Sequence, residues 1–96
     1  MLDKVKTALR LKTNAFDVEI EGLIAAAELD LGLAGVIIPE KPDPPTEREE
    51  DPLITRAVIL YCKGHFGYID NAERFIKAYD HLKLSLSLAG DYNVME

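Results

Sequence analysis

Disulfides, tryptophan, long apolar runs and positive charge are what this sequence lacks or has little of. Cys62 is the only cysteine, so no disulfide forms within the chain, and a reducing compartment is the simplest reading. There is no tryptophan, and aromatics make up only 7% of the residues, so the core must be built mainly from aliphatic groups. No run approaches the roughly 18 apolar residues that a membrane-spanning helix needs. The opening M-L-D-K-V-K-T-A-L-R has no apolar core of signal-peptide length. Bases number 11 against 17 acids, for a net charge of −6, which argues against general nucleic-acid binding through a basic patch. Polar groups convergent enough for catalysis are also missing, so an enzyme is not expected.

Proline is confined rather than scarce. All five prolines fall between Pro39 and Pro52, in P-E-K-P-D-P-P-T-E-R-E-E-D-P. Proline has no backbone N–H and clashes with a preceding helical turn, so a helix cannot run through this stretch. From Pro39 to Asp51 it carries six acids and two bases, most of the chain's excess charge. The sequence is therefore cut into two helical halves by an extended acidic arm, taken as residues 36–51. Ninety-six residues make one domain with a modest core. A core that small favours packing against further copies or a partner.

Leu2, Val5 and Leu9 share one helical face, which predicts a short first helix over residues 2–10. Met1 to Lys12 is locally basic, with four bases and one acid. Asn14 is the expected N-cap of a second helix, with Asp17 in its first turn, where a negative charge suits the helix dipole. Phe16, Ile20, Leu23, Ile24, Ala27 and Leu31 form its apolar stripe, the acids are read as its solvated face, and Gly32 and Gly35 are stop signals. Asp51 should cap a third helix with Pro52 at the first position. The run L-I-T-R-A-V-I-L-Y-C-K-G-H-F-G-Y-I is apolar on nearly every face, so this helix, over 52–68, should be central to the fold. Gly64 and Gly67 lie on one side, where a neighbouring backbone can come close. Asp70 and Glu73 form a capping-box pattern before a fourth helix over 71–88. Its L-K-L-S-L-S-L end alternates as a strand would, but a lone strand has no partner, so helix is assigned. Residues 90–96 form a loose tail. The fold class is all-α: a compact bundle of about four helices with a long proline-rich acidic loop between helices 2 and 3.

Candidate chemistry is thin. Cys62, His65, His81 and Glu73 lack the paired spacing of a zinc site, and the plainer reading is a buried thiol and two partly buried imidazoles. No third group orients a Cys62–His65 pair for nucleophilic work. G-H-F-G lies within an apolar helical run, not after a strand, so it is not a phosphate loop. No cofactor and no metal are expected.

V-K-T-A-L-R-L, a short polar turn and F-D-V-E-I-E-G-L-I-A-A-A-E resemble the opening of the small phage head–tail connector proteins. These are also called adaptors or DNA-packaging proteins of long-tailed phages and prophages. Leu9-Arg10-Leu11 matches the end of the family's first helix. Asp17, Ile20, Leu23, Ile24 and Ala27 match its second, and Pro52-Leu53, Ala57 to Tyr61 and Gly64-His65-Phe66 match its third. The likeness covers residues 2–88. The arm is longer and richer in proline than the simplest family pattern, and Asp91-Tyr92-Asn93 only loosely echoes its Tyr-containing ending.

The resemblance implies a virion-neck protein, present in the host cytoplasm during assembly. It implies a homo-oligomeric ring, of about twelve copies on the portal, that extends the DNA channel and joins head to neck or tail. The implied partners are the portal protein and head-completion, stopper or tail proteins. DNA would pass through without sequence-specific binding. The expected contacts between subunits or with partners are Pro42, Asp43, Pro44, Pro45, Arg48 and Glu49. The alternatives are a small helical protein-binding adaptor or regulatory module unrelated to phage assembly, and a helix-turn-helix DNA binder, which would lack a basic recognition helix.

Overall fold

The computed structural model describes residues 1–38, 51–66 and 72–89. Among them lie four helices and no strand: α1 (Leu2–Ala8), α2 (Asp17–Leu33), α3 (Pro52–His65) and α4 (Ala72–Leu88). The all-α reading holds.

Helix α3 packs against each of the other three. It begins as its sequence dictates: Asp51 Oδ1 accepts from the backbone N–H groups of Leu53 at 2.8 Å and Ile54 at 3.2 Å. Pro52, at the first position, has no N–H to leave unpaired. Ile54, Thr55, Ala57, Val58, Leu60 and Cys62 are all buried, so the helix is covered on most sides. It stops at His65, short of the expected residue 68, because Phe66 turns to an extended conformation with φ −89° and ψ 110°. That turn sets the Phe66 ring edge-on to Phe16, with centroids 5.5 Å apart, and so pins the end of α3 to the start of α2.

Helix α4 returns antiparallel along α3. Gly64 sits at the crossing. A Cβ built there would lie 2.6 Å from Ile76 Cγ1 and 3.3 Å from the Ile76 backbone nitrogen. Only hydrogen in place of a side chain permits that approach. One turn back on α3, the Tyr61 ring meets Tyr79 edge-on at 5.1 Å. Gly67 and the Asp70 end of the capping box lie outside the described residues.

The alternating tail of α4 is helical to Leu88. Its serines are accommodated by bonding back along the helix: Ser85 Oγ donates to the His81 carbonyl and Ser87 Oγ to that of Leu84. At helical pitch the alternate leucines part into two rows. Leu86 is buried and Leu82 partly so, while Leu84 and Leu88 are exposed.

Helix α2 contributes Ile20, Ile24, Ala27 and Leu31 to the core, and α1 contributes Val5. Full burial of such aliphatic side chains stabilises the fold by about 1.5–3 kcal/mol each. The expected Asn14 cap does not form. Phe16 occupies the N-cap position of α2 with no side-chain cap bond, and the helix begins at Asp17. The reason is competition: Asn14 Oδ1 accepts instead from Lys6 Nζ at 2.7 Å, and the same ammonium pairs with Asp17 at 2.9 Å. The cap residue thus ties α1 to the root of α2.

Helix α1 also ends early, at Ala8. Arg10 sits at φ +61°, and the N–H groups of Arg10 and Leu11 return to the carbonyls of Thr7 and Lys6. This is a Schellman turn built on arginine, in the left-handed region that costs a non-glycine residue roughly 1–2 kcal/mol.

Two substitutions test these junctions in opposite directions. Gly64→Ala should lower unfolding stability by about 1–3 kcal/mol through overpacking against Ile76. Arg10→Gly should raise it by up to about 1 kcal/mol by relieving the left-handed strain. Urea denaturation followed by circular dichroism reads both.

Candidate assembly surface

The six expected contact residues, Pro42, Asp43, Pro44, Pro45, Arg48 and Glu49, lie outside the described residues. Both roots of the arm are described. At its start, Gly35 takes φ +94°, a conformation open to glycine at little cost. The Gly35 N–H bonds to the Gly32 carbonyl at 3.0 Å and the Val36 N–H to that of Leu31 at 3.0 Å. Val36 and Leu31 are both buried, completing a Schellman turn with its apolar contact. At its end, the Asp51 cap directs the chain into α3. Two rigid helix junctions therefore hold the ends of the acidic segment.

A polar tie links the far end of α2 to α4. The Tyr79 hydroxyl donates to Asp30 Oδ2 at 2.6 Å, and Lys83 Nζ donates to the same oxygen at 3.1 Å. Asp80 joins at the edge, 3.8 Å from Lys83. The bond from Tyr79 holds the Asp30 carboxyl below its ordinary value of 3.8; partial burial opposes that shift, and Lys83 reinforces it. Burial, and then the neighbouring carboxylate, push the Tyr79 phenol up. The sequence reading took Asp30 for part of a solvated acidic face. It missed the pairing because the partners lie 49 and 53 positions away.

The candidate reactive groups do not converge. Cys62 is buried, and desolvation pushes its thiol up to about 11, which leaves it a poor nucleophile and a poor metal ligand at neutral pH. His65 and His81 are exposed rather than partly buried; His65 stacks on Tyr61 at 4.2 Å. Among the described residues, no group of three or more His, Cys, Asp or Glu side chains is placed to hold a metal ion, and no helix is long and apolar enough to cross a membrane.

The surface is unusual in what it leaves bare. On α2, Val18 is 85% exposed, Leu29 66% and Leu33 80%; on α4, Leu84 is 58% and Leu88 73%. Projected at 100° per residue, Val18, Leu29 and Leu33 fall on the side of α2 opposite Ile20, Ile24, Ala27 and Leu31. That projection is the signal by which the sequence could have revealed them. The apolar stripe that faces the core drew attention away from a second stripe behind it.

A family model described as phage connector protein matches residues 1–93. No curated protein and no solved structure matches the chain.

The Asp30–Tyr79 bond carries a pH signature. The depressed Asp30 pKa means that its contribution is complete above the unfolded carboxylate value of about 4 and is lost as pH falls through the folded value. The raised Tyr79 pKa acts at the other end, its contribution lost as pH rises beyond about 10. Tyr79→Phe should cost about 1 kcal/mol at pH 7 and flatten the decline in stability below pH ~4. Urea midpoints measured across pH 3–7 should show the wild-type and variant curves converging at the acid end.

Proposed function

The chain belongs to the phage connector protein family, and from that membership we propose that it is a structural head–tail connector. It assembles as a ring beneath the portal, extends the DNA channel, and receives the next neck or tail protein in the virion. Before that it is a protein of the host cytoplasm. The observation that carries this reading is the extent of the family match. Residues 1–93 take in both helical halves and the proline-rich arm between them, so the family includes the whole architecture and not only one helical hairpin.

The physical features agree with such a role. The net charge of −6 suits a channel wall, since carboxylates repel phosphates and let DNA slide without sticking. The arm, carrying Pro42, Asp43, Pro44, Pro45, Arg48 and Glu49, reaches a neighbouring subunit or the portal from its two fixed junctions. Its prolines reduce the entropy lost when an extended segment becomes ordered, and its charges pair with complementary ones on the neighbour.

Deletion of Pro42 to Glu49 is the direct test. Helicity and the thermal transition should be retained, because α2 and α3 keep their own terminating and capping residues. Ring formation, or docking on purified portal, should be abolished. A deletion protein that assembles on the portal as the full chain does would refute the arm's role. A full-length chain that neither self-associates nor binds portal would refute the connector reading itself.

A further inference from the structure

Helix α2 has an uncharged outer pole. Val18, Leu29 and Leu33 are exposed along it, with Gly22 and Ala25 between them, and no atom outside the helix lies within 4 Å of where a Gly22 Cβ would be. Acids border the pole, with Glu21 and Glu28 along one side and Glu19 along the other, and α2 contains no lysine or arginine. An isolated surface helix normally turns its polar groups to water; this one turns apolar groups to water and keeps its charges at the margins. That is the pattern of a contact with an uncharged centre and a charged rim.

The complementary pattern stands on α4. Its outer pole, opposite Tyr79 and Leu86, reads Arg74, Lys77, His81, Leu84 and Leu88, all exposed. The first half is basic and the second half apolar. Acids near the start of α2 thus have bases near the start of α4 to meet, and Leu29 and Leu33 have Leu84 and Leu88.

The fold leaves both poles open. Asp30 bonds to Tyr79 and Lys83, and that tie between α2 and α4 leaves Leu29, Leu33, Leu84 and Leu88 exposed. A copy related by rotation brings the α2 pole of one protomer to the α4 pole of the next.

We infer that the outer face of α2 in one copy docks against the outer face of α4 in the next. The contact is head-to-tail, with an apolar centre of Leu29, Leu33, Leu84 and Leu88 and a charged flank of the α2 acids on Arg74 and Lys77. Because the two faces differ, every copy offers one of each, and the contact propagates until rotation closes it. This inference rests on the ring reading above and names the scaffold surfaces that the ring uses in addition to the arm.

Two double variants test it. Leu29→Glu with Leu33→Glu disables the α2 face, and Leu84→Glu with Leu88→Glu disables the α4 face. Circular dichroism should show both folded, since all four side chains are exposed. By sedimentation velocity each variant alone should be monomeric. An equimolar mixture should give a one-to-one dimer, because the first variant keeps its α4 face and the second keeps its α2 face. Oxidation of a mixture of Leu33→Cys and Leu84→Cys proteins should give chiefly the mixed disulfide, even if the wild type associates only weakly, and Cys62 is buried and should not compete. The inference is overturned if either double variant keeps the wild-type assembly, if the mixture stays monomeric, or if the mixed disulfide does not exceed the two self-linked products. A wild-type ring that survives both double variants removes this contact alone. A wild type that neither associates nor binds portal removes the connector reading.

Discussion

A helix apolar on almost every side cannot stand in water, and the rest of this structure follows from covering α3. Its fourteen residues must be enclosed by other parts of a short chain, and burying that surface is the main driving force available to so small a domain. α4 covers one side by coming close at Gly64, and α2 and α1 cover others through Ile20, Ala27, Leu31 and Val5. The covering is economical: α2 and α4 each spend one face on α3, and the tie between them is made by side chains, Asp30 with Tyr79 and Lys83. The fold is therefore saturated in the middle and unfinished at its flanks.

The parts of this arrangement that depend on neighbours in sequence were legible beforehand. The Asp51-Pro52 start of α3, the closeness at Gly64, the stop at Gly35 and the apolar stripe of Ile20, Ile24, Ala27 and Leu31 each follow from spacing or backbone chemistry over a few residues. What escaped depends on distant partners. Asn14 has the chemistry of a cap, but Lys6 claims its carbonyl oxygen. Asp30 reads as one more surface acid until Tyr79 is seen beside it. The leucines at the end of α4 alternate like a strand, and only helical pitch reveals that they belong to two opposed rows. The arm residues chosen as contacts lie outside the described residues, and the exposed pole of α2 was overlooked because a clear inward stripe seemed to account for the helix.

The two ends of the arm are built by different means. Gly35 ends α2 through left-handed backbone, and Asp51 begins α3 through a side-chain carboxylate. Neither device draws on the residues between them. The bonds that end α2 and those that begin α3 are thus made within the described helices and their caps.

The sealed cysteine has a consequence for the protein's covalent life. With its thiol pushed up to about 11, very little of Cys62 is the reactive thiolate at neutral pH, and the sulfur is shut off from solvent besides. Oxidants and disulfide exchange both act through an accessible thiolate. The covalent structure of this chain is therefore the same in reducing and in oxidising surroundings.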